Sequence, residues 1–194
     1  MNSGRIGWVR IFAGSALFLL ASLTGGAAYW QSVEHVAHNR EAVRNYGVIW
    51  PHKLMRSGLP RNDLGWIWLR EQGVRSIVTF RTENDVDYRA VGFNNVLHLP
   101  LTGSVMPTEK QAVDYLKFVQ NPRNQPVLIH CTAGRDRTGM MAALVRYSVD
   151  GWTLDDALKE ARQYRDGKDL SGRRIAWLRA WEKTHSPGSF KVTR

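Results

Sequence analysis

The 194-residue chain predicts an α/β domain on a mostly parallel central sheet flanked by helices, preceded by an N-terminal transmembrane helix. Three observations carry that prediction. Short β-rich runs alternate with helix-compatible segments, the pattern of strands joined by crossover helices. One such run, Gln125 to Ile129, leads through a glycine-containing turn into the apolar, helix-compatible stretch Met140 to Tyr147. Finally, residues 11–33 contain no formal charge, and a bilayer-spanning helix needs only about twenty residues.

Taken in order, residues 1–10 carry Arg5 and Arg10, whereas Glu34, Arg40, Glu41 and Arg44 cancel after the apolar span. The positive-inside rule then places residues 1–10 in the cytoplasm, 11–33 in the membrane and the domain on the extracytoplasmic side, periplasmic in a bacterium. Tyr29 and Trp30 are suited to an interfacial position. A cleaved signal peptide is the alternative, with Gly25-Gly26-Ala27-Ala28 as small residues for cleavage. Residues 34–46 read as a polar linker and 47–185 as the folded domain.

Within the domain, Val48 to Trp50 and Leu54 to Arg56 suggest a short opening hairpin or paired strands. Asn62 can cap a helix through Arg70, with Leu64, Ile67, Trp68 and Glu71 at helical spacing and Gly73 as its stop. Ser76 to Phe80 and Val96 to Leu99 are β-rich. Thr108 and Gln111 form a capping box opening a helix through Val119. Thr153 starts a further helix that Gly167 ends, and Ser171 to Thr184 forms a last one with Ile175, Leu178 and Trp181 inward. Residues 186–194 read as a frayed basic tail.

Composition narrows the chemistry. A single cysteine excludes an internal disulfide, and no Cys/His cluster has zinc spacing, so neither metal nor cofactor is expected. The formal charge of +10 suits phosphorylated substrates or anionic headgroups. No nucleic-acid motif accompanies it, and nucleic acid is not an expected partner.

The chemistry concentrates in His130-Cys131-Thr132-Ala133-Gly134-Arg135-Asp136-Arg137-Thr138-Gly139. A cysteine at a strand end, with an arginine six positions on at a helix start, suits a thiolate that attacks phosphorus. Amides of such a turn converge on a tetrahedral oxyanion, and the helix N-terminus adds partial positive charge. The same field favours thiolate over thiol at Cys131. Arg137 can grip two phosphate oxygens with its planar fork. Thr138 can hydrogen-bond the sulfur, Gly134 lets the backbone approach the anion, and His130 braces the loop. A lone cysteine is by default a small buried hydrophobe; the register of Cys, Gly, Arg, Thr and Gly is what argues for catalysis.

Cys131-x5-Arg137-Thr138 preceded by His130 resembles the signature of the cysteine-dependent protein tyrosine phosphatase superfamily, in its dual-specificity and atypical bacterial branch. Looser similarity covers Met55 to Pro60 and Leu69 to Arg81, and the whole resemblance spans about Gly47 to Gly167. It implies a dual-specificity phosphatase-like fold and hydrolysis of phosphate monoesters through a phospho-cysteine intermediate. Substrates would be phosphoproteins, phosphoinositides or inositol phosphates. Thr132, Ala133, Gly134, Arg135, Asp136 and Arg137 would bind the phosphate, with Cys131, Arg137 and Asp136 catalytic.

One departure from the family pattern is visible. The stretch Leu99 to Pro107, where this branch usually carries a general-acid aspartate, has no carboxylate. Similarity to myotubularin-like enzymes implies Asp136 as the acid, with Asp85, Asp87 and Glu109 as fallbacks. The competing role for Asp136 is an ion pair with Arg135 or another nearby cation. A silent phosphate-binding module and a sulfurtransferase are the alternatives from other classes.

Overall fold

A computed structural model describes residues 40–192. Five strands form one sheet in the order β1-β2-β5-β3-β4: β1 Gly47–Trp50, β2 Leu54–Gly58, β3 Ser76–Thr79, β4 Asn95–His98 and β5 Val127–Cys131. The helices are α1 Asp63–Glu71, α2 Glu109–Gln120, α3 Asp136–Ser148, α4 Leu154–Gln163 and α5 Gly172–Thr184. The strand bearing the cysteine is therefore central, with β2 and β3 on either side in parallel register: Gly58 opposite Cys131, and Thr79 opposite His130.

The sheet is mixed, which corrects the expectation of a mostly parallel one. β1 runs antiparallel to β2, with Gly47 opposite Arg56 and a register irregularity between Val48 and Trp50. The reason is connection length. Only Pro51 to Lys53 separates the two strands, whereas a parallel crossover needs about a dozen residues or more.

The membrane-spanning helix is corrected as well. Among the described residues no helix is long and apolar enough to cross a membrane. The longest, α3 and α5, have 13 residues each, short of the roughly twenty that a span requires. Residues 11–33, on which the expectation rested, lie outside the described residues. The extracytoplasmic placement is corrected with it, since no membrane-spanning helix among the described residues supports it.

Alternation along the strands sorts the core into two layers. Val127, Ile129 and Cys131 face α2, α3, α4 and α5 together with Leu54, Val78 and Phe80. Leu128 joins Met55, Ile77 and the α1 residues Trp66, Trp68 and Leu69 on the other face. α3 is buried over most of its circumference, with ten of its 13 residues buried, as befits a helix between the sheet and its neighbours.

Caps form where the sequence placed them. Asn62 accepts from the Gly65 amide, Thr108 and Gln111 close a reciprocal box, and Thr153 accepts from the Asp156 amide. The buried face of α1 differs from the one its spacing suggested. Gly65, Trp66, Trp68 and Leu69 are buried, whereas Leu64 and Ile67 are 40% and 42% exposed. Gly65 decides this: a Cβ there would sit 2.9 Å from the Pro60 side chain and 3.2 Å from Ala42, so the helix lies close on its glycine.

Two peripheral stretches also lie against the domain. Ala42 and Val43, within the segment expected as linker, are buried, and the Arg61 amide donates to Ala42 O. In the expected basic tail, the Gly188 and Phe190 amides donate to Tyr147 O and Ser148 O, and Gln120 Nε2 donates to Phe190 O.

Trp66→Ala should cost about 3–5 kcal/mol, the usual toll for a buried aromatic, whereas Leu64→Lys should stay within about 0.5 kcal/mol of the parent as a surface change. Equilibrium urea unfolding of the two variants measures both.

Candidate active site

Four residues, Thr132 to Arg135, connect the end of β5 to the start of α3. Gly134 makes so tight a turn possible. Its φ is +69°, and a Cβ there would lie 2.3 Å from Gly58 N and 2.4 Å from Ser57 C, so no side chain fits. The loop carbonyls are each tied outward. Thr132 O accepts from the Leu59 amide at 3.1 Å, Ala133 O from Asn45 Nδ2 at 2.8 Å, and Gly134 O from Arg56 Nη2 at 2.9 Å.

A planar trans peptide points its N–H opposite its C=O. The amides of Ala133, Gly134 and Arg135 therefore face the concave side of the loop. α3 continues this: its N-cap, Arg135, supplies no side-chain cap, so the first-turn amides also remain open to an anion.

Cys131 is free and 2% exposed, at the focus of this loop. Burial pushes its thiol up, but the Thr138 hydroxyl and amide, the Arg137 charge and the Gly134 amide together bring it below the ordinary thiol value. The Thr138 hydroxyl is buried and has no protein oxygen or nitrogen partner. The Cys131 sulfur is the group it serves, and a thiolate there satisfies an otherwise costly buried polar atom.

Arg137 rises from the first turn of α3 and is fixed before any ligand arrives. Nη1 donates to Phe80 O at 3.1 Å and Leu101 O at 3.3 Å, and Nη2 to Thr132 Oγ1 at 3.0 Å. Among the described residues no carboxylate lies within 4.0 Å of its nitrogens, so its charge remains available to an anion.

Asp136 is fully engaged. Oδ1 accepts from Arg165 Nη1 at 2.6 Å and from the Ser171 amide at 3.2 Å, and Oδ2 faces Arg174 Nη1 at 2.7 Å. Arg135, its neighbour, pairs instead with Asp166 at 3.2 Å. The fallback carboxylates are also occupied. Arg81 holds Asp85 through two bonds of 2.5 and 3.0 Å. Asp87 caps its own loop through the Arg89 and Ala90 amides, and Glu109 lies 3.6 Å from His185 Nε2.

His130 points to the opposite face of the sheet from Cys131, packed edge-on against Trp66 and beside Tyr88. Its Nδ1 faces Cys131 O at 3.4 Å, and Nε2 lies 3.0 Å from the Tyr88 hydroxyl. A carbonyl only accepts, so Nδ1 carries the proton and Nε2 accepts from Tyr88. Full burial, with Arg81 and Arg137 adding to it, drops the imidazole from 6.5 to about 4 despite the Cys131 carbonyl, so it is neutral near pH 7.

Several residues that shape the site had no role assigned from sequence: Asn45, Arg56, Tyr88, Arg165 and Arg174. Two of them left a readable signal. Arg56 interrupts an otherwise apolar strand start, Leu54-Met55. Arg174 sits on the same helical stripe as Leu178 and Trp181, at i, i+4 and i+7, and is 3% exposed. It donates to Thr102 O at 2.8 Å, while Trp177 Nε1 donates to Pro107 O at 3.0 Å. α5 thus holds both ends of the carboxylate-free segment Thr102 to Pro107.

Comparison with known proteins agrees with this geometry. A family model described as a DSP-PTPase phosphatase fused to NAD+ kinase matches residues 26–176. The dual specificity protein phosphatase TpbA of Pseudomonas aeruginosa is 32% identical over 138 residues, covering 63% of this chain and 62% of that protein. The chain thus spans less than two thirds of that relative's length. The crystal structure of TpbA superposes with a TM-score of 0.53 at 31% identity, covering 70% of this chain and 91% of the other. Inositol diphosphatase DSP3 of Arabidopsis thaliana is 31% identical over 115 residues, 55% of this chain and 56% of that protein. The catalytic core of the SIW14 phosphatase from S. cerevisiae shares the fold with a TM-score of 0.59 at 22% identity, covering 73% and 92%.

Two outcomes are expected. Gly134→Ala should both destabilise the protein and empty the loop of oxyanion affinity, read by thermal melts with and without vanadate. For His130, the unfolded chain binds a proton near 6.5 and the folded one only near 4. Its contribution is present in full above about pH 6.5 and is lost as pH falls toward 4, by roughly 3 kcal/mol in all. Urea unfolding between pH 7 and 4 should show that loss, and His130→Asn should flatten the curve.

Proposed function

This chain belongs to the DSP-PTPase family of cysteine-dependent phosphatases, and from that premise we propose that it hydrolyses phosphate monoesters through a phospho-cysteine intermediate. The observation that carries the reading is the loop itself. Inward amides, an arginine with no carboxylate partner and a thiol held below its ordinary value converge on one buried sulfur.

In the first step the Cys131 thiolate forms an S–P bond as the P–O ester bond breaks, and the leaving oxygen takes its proton from water. The phosphoryl oxygens lie against the amides of Thr132 to Arg137, and the Arg137 fork supplies two further donors. In the second step water attacks phosphorus, inorganic phosphate departs and the thiolate is restored with the Thr138 hydroxyl on the sulfur. His130 stays neutral behind the loop and takes no proton.

Asp136 is the one carboxylate inside the loop. Both of its oxygens are occupied by Arg165, Arg174 and the Ser171 amide, which supports a bracing part over proton donation. The names of the relatives support two substrate classes, phosphoproteins and inositol phosphates. Both present the same phosphate monoester or anhydride oxygens to the loop.

Cys131→Ser should abolish release of phosphate from an aryl phosphate while tungstate or vanadate still binds, because amides and Arg137 remain. Unchanged turnover in the purified variant would end the covalent reading. Arg137→Lys should lose at least about a hundredfold in kcat/KM, since an ammonium lacks the bidentate fork. Asp136→Asn should slow aryl and alkyl phosphates by similar factors. A loss confined to alkyl phosphates, whose leaving group needs a proton, would instead make Asp136 the acid.

A further inference from the structure

Arg56 is among the largest fully buried side chains, at 1% exposure. It lies on β2 opposite Ile129, while Cys131 is opposite Gly58 two residues on. Residues at i and i+2 of a strand share a face, so Arg56 and Cys131 lie on the same side of the sheet, under the start of α3. Its Nη2 would be 3.8 Å from a Cβ on Gly139, and the same nitrogen donates to Gly134 O at 2.9 Å. The guanidinium stacks on the Tyr164 ring at 3.7 Å from its centroid. Nε and Nη1 are buried and have no partner.

Such a cation needs an anion nearby, because an uncompensated buried charge is strongly unfavourable. Among the described residues, the carboxylates of the surrounding elements are already paired. From α4, Glu160 is taken by Arg146 through two bonds of 2.8 and 2.9 Å. From α3, Asp136 is taken by Arg165 and Arg174. From α2, Tyr115 is buried and pushed above the ordinary phenol range, hence neutral. Tyr164, after α4, offers its ring, and His130 of β5 is neutral on the other face. The remaining cations facing Cys131 are Arg137 from α3 and Arg174 from α5. Among the described residues, the Cys131 thiolate is the anion left for Arg56, and its burial is in turn offset by Tyr164, Glu160 and Cys131.

We infer that Arg56 is a positioning residue that supplies a fixed positive charge behind the catalytic loop, with the Cys131 thiolate, and then the bound phosphoryl group, as its counter-ion. It also locks the Gly134 peptide with its carbonyl outward. It touches neither substrate nor leaving group; the Tyr164 ring and the strand hold it on the protein side of the loop. Brace and charge are separable, because a neutral donor can keep the first without the second.

The inference rests on Cys131 being the nucleophile, but its test needs no turnover. Thiolate formation at Cys131, the chain's only cysteine, is titrated through the pH dependence of iodoacetamide alkylation. Arg56→Gln, which keeps a donor for Gly134 O, should titrate about one pH unit higher than the parent, the usual effect of losing one close opposite charge. The acid limb of kcat/KM should move with it. Arg56→Lys, which keeps the charge, should titrate within a few tenths of a unit of the parent even with reduced kcat. A folded Arg56→Gln protein that titrates like the parent would overturn the inference. If the glutamine variant does not fold, Arg56→Lys decides: a parent-like titration supports the charge role, and a rise of a full unit refutes it. The expected titration shifts in a protein without phosphatase activity would sink the proposed function while still supporting Arg56 as counter-ion to the Cys131 thiolate.

Discussion

The outward pull on three loop carbonyls is the constraint on which the rest of the site depends. A four-residue turn between a central strand and a helix has no secondary structure of its own to orient its peptides. Here the Leu59 amide, the Asn45 side chain and the Arg56 guanidinium take the carbonyls of Thr132, Ala133 and Gly134 in turn. With those oxygens committed, the amides have only the concave side left. The oxyanion cradle is thus preorganised by donors from β2 and the segments flanking β1 and β2, and it needs no reorganisation when phosphate arrives.

That arrangement concentrates positive charge around one sulfur. Arg137, Arg174 and Arg56 approach Cys131 from α3, α5 and β2, and Asp136 balances Arg174 together with Arg165. The acidic groups near the loop are spent on arginines of the scaffold: Asp136, Glu160, and Asp85 on Arg81. What stays unpaired by protein carboxylates is Arg137 in front of the loop and Arg56 behind it. The Thr138 hydroxyl and amide, with the Arg137 charge and the Gly134 amide, are what bring the almost fully buried sulfur below the ordinary thiol value.

The same network explains how a segment lacking the usual acid remains part of the site. Thr102 to Pro107 is held at one end by Arg174 and at the other by Trp177, both from α5, and Leu101 O accepts from Arg137 itself. α5 therefore positions the wall of the cleft and, through Asp136, the first turn of α3. Losing its packing stripe, Leu178 and Trp181, would disturb the chemistry from the far side of the domain.

By itself the sequence determined the place of the Cys131 to Arg137 loop between a strand and a helix, and the caps at Asn62, Thr108 and Thr153. Each of these is a local pattern: a turn, a helix start or a run of apolar residues is specified by neighbours a few positions apart. Only the tertiary structure decided which face α1 buries, because Gly65 must lie against Pro60 and Ala42. It placed a register irregularity between Val48 and Trp50 in the β1–β2 pair. It also decided that Asp136 meets Arg165 and Arg174 rather than its neighbour Arg135. Those partners lie 29 and 38 positions along the chain on other elements, and a charge pair across such a gap leaves no periodicity to read. Arg56 stands between the two cases: an arginine in a buried strand is visible in the sequence, but the thiolate it faces is brought to it only by the pairing of β2 with β5.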